Sequence, residues 1–427
     1  MILAPHPDDE VLGCAGIVQK AVAMNVPVHI VFFTYGDFYE WSFVVYKKRP
    51  VLTPKGVEGM GELRHDEAIA AAAALGLARN DLTFLGYPDF GTLDIWYSAW
   101  ESEPPVKGIL TKATAVPYKD AFRPGAPHKG EEVLHDLASL VRQFRPTKVF
   151  VSHPADHHPD HRALYLFTRV CLFDLEQDLS AQVYPYLVHY TNWPTPQGHH
   201  PEMALVPPGI LQSQAGWSVE TMSPPEMRRK RVALRAHHTQ YETTPRYLDS
   251  FVRSNELFGD LSEVELRVGS PARSLSGHGT DTDTSEVERM GEQDALLVGI
   301  VERTVRIVDG DLVLSMELTH PLAKEVGASV YLFGWRSDRP FARMPKLHVR
   351  LGPVGHEVHD MTGNVTPSQV GVVHAGRHME IRLPLAAMGN PRRVFTDAQI
   401  CAGAIPLEWA AWQTLDIGDA AVSLRDD

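Results

Sequence analysis

Two short segments concentrate the side chains that bind metal ions and transfer protons. The segment PHPDDE at residues 5–10 places one imidazole and three carboxylates close together. The segment HPADHHPDH at residues 153–161 holds four histidines, although the whole chain has only 21. Helix capping would explain one acid at a helix start but would give His6 no function. Imidazole and carboxylate groups together are ligands of catalytic Zn²⁺, which keeps one position open for water.

A strand is predicted directly before each segment, a short one within the four residues that precede Pro5 and another over residues 148–152. In open α/β sheets ligands bind at the carboxyl ends of the strands, so both segments are expected at one edge of one sheet. Taken alone, the histidine-rich segment is as typical of a solvated loop as of a metal site. Taken together, the two segments supply two histidines and a carboxylate, a ligand set that catalytic zinc uses.

Short β-rich runs alternate with helix-patterned stretches up to about Gly259, which predicts a Rossmann-like α/β fold. We expect a mostly parallel sheet with helices on both faces, and a helix stop at Gly76. Two long aromatic, Pro-rich insertions, over 36–59 and 87–129, are expected to wall a cleft. Further strands are predicted over 26–34, 82–85 and 182–190, and helices over 61–77, 131–144 and 225–240.

The composition changes to Gly, Ser, Thr and Asp after residue 268, which is typical of a linker or mobile loop. We therefore predict a catalytic domain over 1–268, a linker over 269–290 and a β-rich accessory domain over 291–427. The last domain is predicted to be all-β and sandwich-like, with a turn at Asp309-Gly310. Its predicted strands are 296–308, 312–318, 329–335, 346–351 and 378–383.

Net charge excludes some classes of partner. The 427 residues include 40 Lys and Arg against 53 Asp and Glu, so the net charge is −13. Such acidity disfavours a broad electrostatic contact with nucleic acid or anionic lipid, and we expect no nucleic-acid partner.

The apolar runs and the cysteines of the sequence indicate the cellular compartment that we expect for this protein. No run approaches the roughly 18 to 20 apolar residues that span a bilayer, so we expect no transmembrane segment. Three scattered cysteines, Cys14, Cys171 and Cys401, form neither a disulfide framework nor a thiolate metal site. No signal peptide is recognisable, and a soluble, cytoplasmic protein is expected.

An ordered series of motifs resembles the PIG-L/LmbE-like N-acetylglucosaminyl deacetylases, which are zinc-dependent enzymes that remove acetyl groups from N-acetylglucosamine-containing compounds. The resemblance covers about residues 1–259. The motifs are HPDDE at 6–10, RxxEA at 64–68 followed by ALG at 74–76, LGYPD at 85–89, HPDH at 158–161, and a closing helix with Lys230, His238 and Gln240.

The resemblance implies a division of labour among five residues. His6, Asp9 and His161 would be the zinc ligands, with other divalent ions as alternatives. Asp8 would be the general base that accepts a proton from the metal-bound water. His158 would be the acid and the partner of the oxyanion.

Other residues are implied with alternatives. Arg64 and Asp89 look like the family's substrate-contacting pair, and an ordinary ion pair between them is the alternative. Asp160 would orient a ligand histidine, or else would be an acid at a helix N-terminus. The resemblance assigns no role to His153 or His157.

The resulting expectation is a zinc-dependent hydrolase that removes the N-acetyl group from an amino-sugar small molecule or glycan. A metal-dependent hydrolase of another amide is one alternative, and a non-catalytic carbohydrate-binding protein on the same fold is another. Trp41, Trp96 and Trp100 would either stack on sugar faces or pack in the core. The β-rich domain would bind carbohydrate, pack on the catalytic domain or form a homo-oligomer contact.

Overall fold

A computed structural model describes residues 1–38, 53–275, 298–403 and 405–418. The chain divides into two units, one of Met1–Pro208 and Trp217–Asp260, the other of Gly209–Gly216 and Leu261–Asp427. Most of the predicted linker lies outside the described residues, as does Trp41. The three domain ranges proposed from the sequence therefore stay predictions.

Helices and strands alternate through the first unit. The strands are β1 (Ile2–Ala4), β2 (Ile30–Thr34), β3 (Leu82–Tyr87), β4 (Lys148–Ser152), β5 (Gln182–Tyr186), β6 (Gly216–Thr221) and β7 (Asn255–Asp260). The helices are α1 (Asp9–Ala23), α2 (Pro54–Leu75), α3 (Thr92–Ser98), α4 (Gly130–Phe144), α5 (Pro159–Asp174), α6 (Leu211–Gln214, in the second unit), α7 (Pro224–Ala236), α8 (His238–Tyr241) and α9 (Pro245–Asp249). Within the described ranges, no helix combines the length and hydropathy needed to cross a bilayer.

Five parallel strands form the sheet of the first unit, in the order β3-β2-β1-β4-β5. Ile2 of β1 lies opposite Ile30 on one side and Phe150 on the other. The direction of strand succession reverses between β1 and β4, which makes the carboxyl ends of these two strands a topological switch point. The predicted parallel α/β sheet is confirmed, and both motif loops leave it at this point.

Local signals explain the bounds of α2. Thr53 caps its start, because the side-chain oxygen accepts a hydrogen bond from Gly56 N at 3.2 Å, and Pro54 follows. The helix ends at Leu75, and Gly76 adopts the predicted left-handed conformation with φ 97°. The helix therefore begins seven residues before the predicted start at 61.

The last helix predicted in the first unit is shorter in the structure than in the prediction. The helix predicted over 225–240 is interrupted at His237, where ψ is 66° between α7 and α8.

Trp96 and Trp100 are buried, and Trp100 Nε1 donates to Trp96 O at 2.7 Å. These two tryptophans pack in the core, which is one of the two alternatives that the sequence left open.

Antiparallel strands dominate the second unit, as predicted. Its strands are β8 (Val264–Glu265), β9 (Arg273–Ser274), β10 (Ile300–Val308), β11 (Asp311–Leu318), β12 (Val326–Trp335), β13 (Lys346–Leu351), β14 (His356–Asp360), β15 (Gly371–Ala375), β16 (His378–Pro384), β17 (Arg393–Ala402), β18 (Ile405–Trp409) and β19 (Gln413–Asp416), and only the pairing of β8 with β19 is parallel among the described strand pairs of this unit. One sheet has the order β15-β16-β11-β10-β9, the other β14-β13-β12-β17-β19-β8, with β18 beside β17.

The two sheets share one apolar core. Leu314 and Ile381 of one sheet and Leu332 and Ile400 of the other belong to the same buried cluster, as a β-sandwich requires. The predicted turn joins β10 to β11, with positive φ at both Asp309 and Gly310.

Candidate functional site

The loop after β1 has a backbone that most residues avoid. Asp8 has φ 136°, which is rare for a residue other than glycine. Its N–H donates to Glu10 Oε2 at 2.9 Å, and the preceding carbonyl of Pro7 accepts from Arg64 Nη2 at 2.7 Å. These hydrogen bonds hold Asp8 in place directly before Asp9 starts α1.

Three buried atoms from the two motif loops form a small triangle. His6 Nδ1 lies 3.2 Å from Asp9 Oδ2, His161 Nε2 lies 3.1 Å from the same oxygen, and the two nitrogens are 3.3 Å apart. Two ligand atoms bound at about 2.0–2.1 Å to one tetrahedral ion lie roughly 3.3 Å apart. The other oxygen, Asp9 Oδ1, is buried without a hydrogen-bond partner among the described residues. The three side chains could therefore hold a divalent ion.

Carboxylates face the far side of both imidazoles. Asp156 Oδ2 lies 3.1 Å from His161 Nδ1, and Asp160 Oδ2 lies 3.1 Å from His6 Nε2. Metal-binding histidines usually donate their second ring N–H to such a group, which fixes the ring and its tautomer. Asp160 stands in the first turn of α5 and also contacts His6, and its role stays a prediction.

Asp156 is a residue that the sequence analysis did not assign. Its Oδ1 accepts from His158 N at 2.9 Å, and its Oδ2 accepts from Val188 N at 3.0 Å and His189 N at 2.9 Å. Burial alone would raise the pKa of Asp156, but the neighbouring His161 and these hydrogen bonds outweigh burial and lower it. Burial would lower the pKa of His161, but the carboxylates of Asp156 and Asp9 outweigh burial and raise this pKa to about 9.

Asp8 lies beside the triangle without joining it. Its Oδ1 is 3.6 Å from Arg64 Nη2. Burial raises the pKa of Asp8 to about 7, although Arg64 opposes this shift. A carboxyl group that titrates near neutrality is suited to accept and return a proton.

His158 caps α5 and faces the site. Its Nδ1 accepts a hydrogen bond from Asp160 N at 3.2 Å, so the neutral ring carries its proton on Nε2. Burial lowers the pKa of His158, and the neighbouring His6 and His161 lower it further. The ring centre lies 4.5 Å from that of His6. His158 is therefore a neutral donor next to the candidate ligands.

Arg64 and Asp89 are both at the site, but their described contacts differ. Arg64 donates to Gly36 O and Pro7 O, each at 2.7 Å. Asp89 Oδ1 lies 3.2 Å from His6 Nε2, and its Oδ2 accepts from Phe38 N at 2.8 Å. Their roles toward a substrate remain predictions.

In the closing helix region, the histidine that contacts the first motif is not the one that belongs to the family-like series of motifs. His238 is exposed, whereas His237 is buried with Nε2 at 3.0 Å from Glu10 Oε1. Lys230, also in the motif, is buried in an ion pair with Glu256 at 2.8 Å. Only tertiary contacts distinguish these adjacent histidines.

His189 is a second residue that the sequence analysis missed. It follows β5, at a third strand end of the same sheet, but the predicted strand over 182–190 included it. Ring nitrogens of His189 and His161 and a carboxylate oxygen of Asp9 lie within 4.8 Å of one another. His6, His158 and His161 form a similar group, as do His6, Asp89, His158 and Asp160.

The remaining histidines of the second motif lie away from the triangle. His153 stacks on Trp217, with ring centres 5.4 Å apart, and burial lowers its pKa to about 3. His157 Nδ1 lies 3.2 Å from Thr191 Oγ1, and its ring packs beside Tyr190. Neither belongs to a described metal-ligand group.

The chain is similar to a curated deacetylase over part of its length. The 1D-myo-inositol 2-acetamido-2-deoxy-alpha-D-glucopyranoside deacetylase 1 of Saccharopolyspora erythraea is 32% identical over 170 residues, which are 38% of this chain. The match covers 49% of that relative, so the chain spans about half the length of the curated protein it matches.

Solved structures are similar at lower identity. An N,N'-diacetylchitobiose deacetylase from Pyrococcus horikoshii is 20% identical, with a TM-score of 0.37 over 60% of this chain and 81% of its own. A 4-carboxy-2-hydroxymuconate hydratase from Pseudomonas putida is 14% identical, with a TM-score of 0.36 over 58% and 81%. Structures this distant do not assign an activity to this chain.

The sequence model of one family, described as GlcNAc-PI de-N-acetylase, matches residues 1–172. This range contains both motif loops and the three residues of the triangle. Residues 1–172 are therefore similar to the PIG-L family, which the motifs of the sequence also resemble.

Proposed function

We propose that this protein is a zinc-dependent deacetylase that hydrolyses the N-acetyl group of an N-acetylglucosamine derivative. The products are acetate and a free amine. The observation that carries the proposal is the buried triangle of His6, Asp9 and His161, with Asp8 beside it and with one oxygen of Asp9 that no described residue hydrogen-bonds. The match of residues 1–172 to a deacetylase family supports it.

In this proposal His6 Nδ1, Asp9 Oδ2 and His161 Nε2 are the metal ligands. When bound there, Zn²⁺ lowers the pKa of a water molecule and polarises the acetyl carbonyl. Other divalent ions can occupy such a ligand set, and zinc is the expected native ion. Asp156 and Asp160 hold the two imidazoles from behind.

Asp8 is the proposed general base. Its pKa of about 7 leaves a substantial fraction ionised at neutral pH, ready to accept the proton of the attacking water. Arg64 keeps this carboxylate oriented from 3.6 Å. The strained backbone at Asp8 points to a conformation maintained for function, because it costs stability.

His158 is the proposed acid. A proton on Nε2 can be donated to the departing amine or can stabilise the negative charge on the former carbonyl oxygen. Arg64 and Asp89 are proposed to contact the sugar. We assign the activity to the predicted catalytic domain, residues 1–268.

The experiment is acetate release from a panel of N-acetyl compounds by metal-stripped protein, with and without added Zn²⁺. The panel pairs N-acetylglucosamine derivatives with acetamides that lack a sugar. We expect zinc-dependent release from the sugar compounds and at least about tenfold lower kcat/KM for the others. Equal rates on both classes would favour a hydrolase of another amide. No release from any compound, with zinc bound, would contradict the proposal.

A further inference from the structure

His189 is held beside the candidate metal ligands by its own backbone. Its N–H donates to Asp156 Oδ2 at 2.9 Å, and that oxygen also lies 3.1 Å from His161 Nδ1. One buried carboxylate thus accepts a hydrogen bond from the backbone of His189 and lies next to the ring of a proposed ligand. Because Asp156 lies on the β4 loop and His189 follows β5, two adjacent strand ends are tied together.

The ring of His189 is at a distance suited to sharing an ion with its neighbours. An imidazole bound at about 2.0–2.1 Å has its ring centre roughly 3.2 Å from the ion, so two such rings have centres roughly 4.5 to 5.2 Å apart. The centres of His161 and His189 are 4.8 Å apart, against 5.2 Å for His6 and His161. A ring nitrogen of His189 also lies within 4.8 Å of Asp9.

Hydrogen bonds distinguish His189 from His158, the other histidine near the triangle. The Nδ1 of His158 accepts from a backbone N–H, so its Nε2 carries the hydrogen and has no free lone pair. The Nδ1 of His189 faces the Tyr247 hydroxyl at 3.5 Å. That hydroxyl donates its own hydrogen to Val188 O at 2.9 Å, so it can only accept from His189. The Nε2 of His189 is therefore left with a lone pair.

We propose that His189 Nε2 is a fourth protein ligand of the metal ion, beside His6, Asp9 and His161. The inference rests on the proposed function, because it requires an ion at that triangle. A set of three imidazoles and one carboxylate binds zinc more tightly than two imidazoles and one carboxylate. These four side chains would hold the ion, and the bound ion would still supply the chemistry of a catalytic zinc site, which can accept an additional ligand.

The test uses the full chain, stripped of metal, with two readouts besides activity. The first is Zn²⁺ affinity measured by competition with a chelator of known affinity. The second is the visible absorption of bound Co²⁺, which depends on the number and type of ligands. The variants are His189→Ala, His189→Gln, which keeps a polar side chain without an imidazole, and His161→Ala. The matched control is His157→Ala, which removes a nearby histidine that faces Thr191.

We expect both His189 variants to bind Zn²⁺ at least about 100-fold more weakly and to shift the Co²⁺ band, while His157→Ala matches the wild type. Wild-type affinity in both His189 variants would overturn the inference. Weaker binding with an unchanged Co²⁺ band would also overturn it, because His189 would then act from outside the coordination sphere. If His161→Ala also kept wild-type affinity, the proposed metal site itself would be wrong.

Discussion

Three residues that the sequence analysis left without a role contact the candidate site. Asp156, His189 and His237 contact site residues that are up to 227 positions away in sequence, as His237 does with Glu10. The positions of the motifs predicted that the two loops would meet at one edge of the sheet, and the family resemblance implied His6, Asp9 and His161 as the ligands. The supporting residues could not be predicted, because a lone histidine or aspartate has no local pattern that marks its tertiary partner.

Asp156 offers a prediction at this scale. Asp156→Asn removes the negative charge that faces His161 and weakens its hold on the ring, so we expect roughly 10- to 100-fold weaker Zn²⁺ binding. The measurement is competition with a chelator, with the exposed Asp178→Asn as control. Binding by Asp156→Asn within twofold of the control would show that His161 needs no such partner.

The bounds of helices and strands were predicted well where a local sequence signal sets them. They were predicted poorly where contacts with distant residues set them. The strand β4 has the predicted bounds, and α2 ends where predicted because glycine readily adopts the left-handed conformation. The break at His237 between α7 and α8 accompanies its contact with Glu10, which no local pattern encodes. The strand β17 was missed because it is buried along most of its length and shows no alternation of apolar and polar residues.

The C-terminus of α2 gives a matched pair of substitutions. Gly76→Ala forces a Cβ into φ 97° and to within 3.1 Å of Val22 Cγ1, so we expect a loss of about 1 kcal/mol or more in the free energy of unfolding. Gly59→Ala, in the same helix with no described atom within 4 Å of the new Cβ, should instead gain about 0.5–1 kcal/mol. Urea unfolding measures both; equal effects would contradict the cap assignment.

The titration of His29, which lies directly before β2, is expected to make the free energy of unfolding depend on pH. It packs on Phe144 and contacts Thr83 Oγ1 at 2.8 Å, and burial lowers its pKa to about 4. Below pH 6.5 the unfolded chain therefore binds a proton that the folded chain does not bind until about pH 4, so stability falls as pH falls. Between pH 7 and 5 the wild type should lose up to about 2 kcal/mol more than His29→Gln.

The unfolding free energy at several pH values measures this difference. The exposed His135→Gln controls for loss of an imidazole. A His29→Gln variant that loses as much stability as the wild type between pH 7 and 5 would show that His29 does not contribute.

At the scale of the whole molecule, the sequence predicted the classes of both units but not the strand order. The alternation of strands and helices indicates a parallel sheet, whereas the succession β3-β2-β1-β4-β5 depends on which strands pair in space. That order brings the ends of β1 and β4 together and so creates the site. In the second unit the predicted turn at Asp309-Gly310 is local, but the assignment of strands to two sheets is not.

The most direct test of the central claim is acetate release from an N-acetylglucosamine derivative as Zn²⁺ is added to metal-stripped protein. We predict that the rate rises up to one equivalent of Zn²⁺ per chain and then levels off. Asp8→Asn should bind the same equivalent with a rate roughly 10²- to 10⁴-fold lower. A rate that does not depend on Zn²⁺, or an Asp8→Asn variant as active as the wild type, would contradict the account.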